Sequence, residues 1–288
     1  MIDLWNPQAL SGIAAILLTA ALLGIVHGLT PDEHTWPITF SYAVGSYSTK
    51  GGMRAGFLFS LAFTAQRAVA SELAYFALAR LLEQERWEYF VYVLVGLVMA
   101  GSGFYVLRRG RIPHLFHEHA IALAVTSKPP PRSWSYMPLV HGFVAGWGTG
   151  AFALIVYTTL APAMGNPWLG FLPGLFFGLG TMLTQIVIGA LVGAWMQRRG
   201  LSEPAIRFLA RHVSGLTLGY GGVAFAIAGS VGLVDPHLFA WSVSTGIRVH
   251  NLAHLGIGFV LVIVTLVVIA SYAFFSGLHS IATDQYPV

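Results

Sequence analysis

Val26-His27-Gly28-Leu29-Thr30-Pro31-Asp32-Glu33-His34-Thr35-Trp36-Pro37 follows directly on an uncharged apolar run. The stretch therefore begins at or inside a membrane boundary. Two imidazoles, two carboxylates and two helix-breaking prolines fall within the eleven residues from His27 to Pro37. Such a concentration stands out because only 9% of the 288 residues are charged while 56% are hydrophobic. A soluble domain carries about 25% charged residues, and the mean hydropathy here is +0.71. Several segments exceed the roughly 18 to 20 apolar residues that cross a bilayer core. The fold class read from this is an all-α polytopic membrane protein of about six to seven transmembrane helices.

The spans expected on either side of the stretch run in order. Span 1 covers about Ala9 to Val26, and Glu33 to Gly45 reads as a half-length segment. Gly45 to Arg54 is expected to be a loop, with span 2 from about Ala55 to Ala79 and span 3 from Tyr89 to Leu107. A polar connector, Arg108 to Ser133, contains His114, His117, His119 and Pro129-Pro130-Pro131. Spans 4 to 7 are placed at Met137–Ala161, Trp168–Met196, Val213–Val234 and Leu252–Phe275. The basic residues Arg198, Arg199, Arg207 and Arg211 are read as a loop between spans 5 and 6. The N-terminus lacks the positive region of a cleaved signal peptide, so the first helix is expected to be retained.

Loops 1, 3 and 5 hold most of the Lys and Arg, while the opposite side carries only Arg80, Arg86 and Arg248. The positive-inside rule then puts the N-terminus outside and the histidine-containing connector in the cytoplasm of a multi-pass protein of the inner or plasma membrane. The sequence pI near 9.5 thus reads as topology and not as nucleic-acid binding. The chain has no cysteine, which excludes disulfides, thiolate metal sites and cysteine nucleophiles.

Val26-His27-Gly28 recurs as Val140-His141-Gly142, an offset of 114, and Gly56-Phe57-Leu58 recurs as Gly170-Phe171-Leu172 at the same offset. The expectation is two inverted three-helix repeats plus a C-terminal helix. The units are 1–107 with the His27/Asp32/His34 motif, a connector 108–133, a second repeat 134–234, and an additional helix and tail 235–288. An odd number of spans per unit inverts the second copy, an arrangement typical of secondary transporters. The other reading is chance similarity between Gly-rich helices that pack closely.

His27 and His34 are seven positions apart, about 10 Å along an unbroken helix, too far to share an ion. An unwound turn at Gly28 and Pro31 could fold Asp32 and His34 back toward His27. Imidazole with carboxylate suits a borderline divalent ion such as Ni²⁺, Co²⁺ or Zn²⁺. Against this stands an interfacial turn in which Asp32 and Glu33 merely cap the next segment. His141 is either the repeat counterpart of His27 or a satisfied helix-packing residue. Arg67 and Glu72, five apart in span 2, read as a gating or proton-coupling pair, or as residues that satisfy other helices. His114, His117 and His119 read as a loop metal-capture tract or as a solvated basic loop.

His27-Gly28-Leu29-Thr30-Pro31-Asp32-Glu33-His34 resembles the histidine–acidic–histidine signature of the nickel/cobalt transporter superfamily, which includes uptake permeases, efflux proteins and urease-accessory-type membrane proteins. His141-Gly142 with Gly146, Gly148 and Gly150 resembles the opening of that family's second half, and the histidine-containing connector is similar to that of its efflux branch. Three positions depart: Thr30 stands where the family has an acidic residue, Glu33 separates the Asp–His pair, and Phe63 replaces an expected ligand.

The resemblance implies a non-enzymatic secondary transporter of divalent transition metal, with His27, Asp32, Glu33, His34 and His141 as ligands. No tightly bound cofactor is expected, only transported Ni²⁺ or Co²⁺, with Zn²⁺ a further candidate. The expected partners are the lipid bilayer and the metal ion, and a homo-oligomer is compatible. The alternatives are a transporter of a non-metal solute or anion using Arg67, an intramembrane metalloenzyme and, more distantly, a haem protein with His27 and His141 as axial ligands.

Overall fold

The structure, a computed structural model, describes residues 12–78, 85–109, 136–246 and 254–283. Helix α1 (Ile13–Leu29) ends where Thr30 turns extended, with φ −78° and ψ 140°. The cause is local, because a residue that precedes proline is pushed out of the α region, and Pro31 follows. Helix α2 (Trp36–Ser46) restarts the chain with Pro37 in its first turn, where a missing N–H costs nothing. Tyr47 closes it in the left-handed region at φ 39°. The Ser48 side chain then accepts from the Gly51 amide and starts α3, Thr49–Leu73. The loop expected from Gly45 to Arg54 is therefore mostly helix, because Ser48 supplies a cap that outweighs Gly51 and Gly52. A π-helical stretch, Ala74–Leu78, continues α3.

Helix α4 (Glu85–Arg109) starts four residues earlier than span 3 was expected to. The segment expected as one span from Met137 to Ala161 is instead α5 (Met137–Ala145) and α6 (Ala151–Ile155), the latter running on as a π-helical stretch, Val156–Leu160. Gly146, Gly148 and Gly150 fill the gap with residues that support a helix poorly, each by about 1 kcal/mol less than alanine. Helix α7 spans Phe171–Gln197 and α8 spans Glu203–Val234. Arg207 and Arg211, expected in a loop, lie on α8. Ser202, Glu203 and Pro204 explain this early start, since an acidic residue and a proline both favour a first turn. After an antiparallel pairing of two two-residue strands, Val243–Ser244 with His254–Leu255, α9 (Ile257–Val262) passes through a π-helical stretch, Ile263–Ile269, into α10 (Ala270–Ala282).

Among the described residues four helices are long and apolar enough to cross a membrane: Arg86–Arg108, Pro167–Gln197, Glu203–Val234 and Ile257–Ala282. The helix Ile13–Leu29 and the broken segment Ala151–Met164 are apolar but shorter. Polar side chains are turned inward: His27, Asp32, Glu33, His34, Gln66, Arg67, His141 and Gln185 are all buried. Leu183, Val187, Leu191 and Phe275 are exposed. Such a polar interior inside an apolar exterior is stable when the surroundings are lipid, so the chain is a membrane-embedded, multi-pass helical protein.

The long helices pack as pairs, α3 on α7 and α4 on α8, with α1 laid on α7 and α5 on α3. The α3–α7 contact is close because glycine meets glycine. A Cβ added to Gly52 would lie 1.9 Å from the Gly189 carbonyl oxygen, and one added to Gly189 would lie 2.2 Å from that of Gly52. Small residues at such crossings let backbones touch, which drives helix association in lipid. The two pairs enclose the breaks after α1 and α5.

Candidate functional site

The site grows out of the first break. Past Pro31, the Asp32 carboxylate accepts the His34 amide at 2.9 Å, and the Asp32 carbonyl accepts the amides of Thr35 (3.3 Å) and Trp36 (3.0 Å). This tight turn folds His34 back beside Asp32. His34 Nδ1 lies 3.9 Å from Asp32 Oδ1 and 3.7 Å from Glu33 Oε1, and His27 Nδ1 lies 3.7 Å from Asp32 Oδ2. A donor atom from each of Asp32, Glu33 and His34 falls within a 4.8 Å group. The unwound turn thus brings together groups that an intact helix would hold apart.

The break leaves helix carbonyls without intrahelical partners, and each such group in an apolar interior costs several kcal/mol if left alone. Side chains take them up. The Thr30 hydroxyl donates to the His27 carbonyl at 3.1 Å. The Gly28 carbonyl accepts from Trp36 Nε1 at 3.2 Å and from Gln185 Nε2 at 3.1 Å.

Glu88, in the first turns of α4, ties this site to the second break. Its Oε1 lies 3.0 Å from His34 Nε2, while its Oε2 accepts the Thr149 amide at 2.7 Å and the Thr149 hydroxyl at 3.2 Å. Four residues further along α4, the Tyr92 hydroxyl donates to Glu33 Oε1 at 3.1 Å, and its ring stacks on His34 at 5.3 Å. The second break presses against the same imidazole: a Cβ on Gly148 would sit 2.6 Å from His34 Nε2. Only glycine allows that approach.

Sequence reasoning missed Glu88 and Tyr92 because span 3 was started at Tyr89, which left Glu88 outside the membrane. The available signal was their spacing, since an acid and a phenol four apart share one helix face. His34 now has one ring nitrogen toward Asp32 and Glu33 and the other on a carboxylate. In metal sites that arrangement fixes the imidazole's orientation and raises its basicity.

The remaining expected residues have other surroundings. His27 is stacked with Phe63 at 5.9 Å and lies 5.2 Å from the Phe177 ring, so Phe63 walls the His27 pocket where the resemblance expected a ligand. His141 Nδ1 is 3.1 Å from both the Tyr42 hydroxyl and the Met137 carbonyl, apart from the Asp32–Glu33–His34 group. Arg67 donates through Nη1 to the Gly148 carbonyl and to the Tyr157 hydroxyl, both at 2.7 Å, and its guanidinium lies 4.6 Å from the Phe63 ring centre. Among the described residues Arg67 forms no ion pair with Glu72, which sits beside Gly170 and Tyr75. His114, His117 and His119 lie outside the described residues.

Two buried carboxylates, Asp32 and Glu33, and the part-buried Glu88 therefore surround His34. At about 4 Å, two like charges repel by roughly 4 kcal/mol at a near-surface effective dielectric. The cluster is chemically suited to a cation.

A family model described as cytochrome c biogenesis protein transmembrane region matches residues 68–223, just over half of the chain. The chain belongs to that family. No curated protein and no solved structure matches it. Membership of this cytochrome c biogenesis family overturns the nickel/cobalt transporter superfamily read from the first helix, and nickel or cobalt transport falls with it. Of the stretches that carried the resemblance, His27 to His34 lies outside the matched region, while His141-Gly142 and the histidine-containing connector lie inside it and are matched by the biogenesis family. Two histidines and two acids around Pro31 are a short local pattern that does not identify a family. The matched region of the biogenesis family does include Glu88, Tyr92, His141 and Thr149.

Proposed function

We propose that this chain is a membrane component of cytochrome c biogenesis that works through a buried cation-binding centre and not through a dithiol. Family membership supports the first half of that reading. Thiol–disulfide exchange needs an attacking thiolate, and these 288 residues contain no cysteine, so their own side chains cannot carry it. The observation that carries the second half is Glu88, which holds His34 with one oxygen and Thr149 with the other.

In this proposal Asp32, Glu33 and His34 Nδ1 form the inner ligands, with His27 beside Asp32. Ligand bonds of about 2.0–2.2 Å require the donor atoms, now 3.7 and 3.9 Å apart, to close in only slightly. Two or more carboxylates with imidazole match a divalent ion that accepts both oxygen and nitrogen, such as Mn²⁺, Fe²⁺ or Zn²⁺. The centre binds and positions, and no residue in it is assigned as a nucleophile or a general base.

We further read the two breaks as matching points of an inverted repeat. The recurring order of a short helix, a break, a second short helix and two long helices supports this, as does the pairing of α3 with α7 and α4 with α8. The excess of Arg and Lys at the Gln197–Ser202 end supports a cytoplasmic placement of that end.

Calorimetric titration of the purified protein with Mn²⁺ and Zn²⁺ tests the proposal. Wild type is expected to bind one ion, and Asp32→Asn or His34→Gln to weaken binding by about 100-fold or more, since each removes an inner ligand from a buried site. Equal binding by wild type and both variants would overturn it.

A further inference from the structure

We propose that the groove at the C-terminal end of α7 binds the phosphate headgroup of an anionic phospholipid. Leu191, Ala194, Trp195, Arg198 and Arg199 line a cavity of about 310 Å³ there. None of these residues takes part in the cation centre, whose groups lie on α1, the turn after it and α4.

Two observations select the ligand. The first is a ladder on one face of α7. Leu183, Val187 and Leu191 are 59%, 50% and 65% exposed, and Trp195 and Arg199 follow at the same four-residue step. From Leu183 to Trp195 the helix rises about 18 Å, close to half of a bilayer core of about 30 Å. The order is aliphatic, then indole, then guanidinium. It follows a leaflet from its acyl chains through the aromatic belt to its phosphates.

The second is that Arg199 is held in place without being neutralised. Its guanidinium lies 4.4 Å from the Trp195 ring centre and 5.0 Å from that of Phe274, and those two rings are 4.9 Å apart. Stacking occupies the face of the guanidinium and leaves its N–H edge for a planar, two-point bond to phosphate oxygens. Among the described residues no carboxylate lies within ion-pair distance of Arg198 or Arg199. Neighbouring positive charge adds to the attraction. Gln197 Oε1 accepts the amide and the hydroxyl of Thr49 at 3.3 and 3.1 Å, which brings the start of α3, with Lys50, to this corner.

Native mass spectrometry of the full chain, released from detergent with added lipid, tests the site. Phosphatidylglycerol is expected to be retained in preference to phosphatidylcholine. Arg198→Gln with Arg199→Gln is expected to reduce its retention about fivefold per charge removed, roughly 25-fold together. Arg199→Lys keeps the charge but loses the stacked fork, so its retention should fall between the two, and it keeps the test decisive if the double variant does not fold. Excess inorganic phosphate should leave phosphatidylglycerol bound. Equal retention of the two lipids, unchanged retention in both variants, or displacement by free phosphate would each overturn the proposal.

Discussion

Between α1 and α2 the chain breaks over Thr30 to Thr35, where a proline, two carboxylates and an imidazole sit together; between α5 and α6 it breaks over Gly146 to Gly150 with no ionisable side chain at all. The first break supplies donor atoms. The second supplies absent side chains, in that Gly148 lets the backbone lie against His34, together with backbone groups that other helices grip. Trp87 Nε1 donates to the Trp147 carbonyl at 2.9 Å, Arg67 holds the Gly148 carbonyl, and Glu88 holds the Thr149 amide. The lesson is that a polar centre in a membrane needs two different components. One carries charge, and the other lets the charge be approached without bringing any of its own.

The division can be probed from either side. After loss of an inner ligand, the next largest effect is expected from Glu88→Gln, which leaves every inner ligand in place but removes the carboxylate shared by the two breaks. Loss of such an outer partner costs about 10- to 100-fold in ion affinity, read by the same calorimetric titration; unchanged affinity would uncouple the second break from the centre. A smaller effect is expected from Gly148→Ala. Its methyl group would meet the His34 ring, so the ring must move, and that displacement should weaken ion binding by about tenfold, the cost of off-geometry packing being about 1–3 kcal/mol. If affinity is unchanged while thermal stability drops, the second break is packing alone.

The two breaks were also unequally legible. Pro31, Asp32, Glu33 and His34 announce the first in the sequence, because the residue types that break a helix and those that hold an ion are written side by side. The second is built from glycines, which are common in membrane helices for packing reasons, and Met137 to Ala161 accordingly reads as one span. Glu88 was hidden for a different reason. Its partners, His34 and Thr149, are 54 and 61 positions away, and nothing local to Glu85-Arg86-Trp87-Glu88 distinguishes an inward-turned acid from a solvated one. Membrane embedding was plain from composition, since only a lipid exterior tolerates so few charges. The family was not legible, because short histidine- and glycine-containing stretches resemble another family, and the match that identifies this one extends over residues 68–223 without a short polar motif to announce it.

Anomalous diffraction from crystals of the full chain grown with Mn²⁺ would test the central claim most directly. The account predicts a peak between Asp32, Glu33 and His34 Nδ1, with Glu88 on the far side of the imidazole and still holding Thr149. A peak elsewhere, or none with the protein saturated by Mn²⁺, would contradict it.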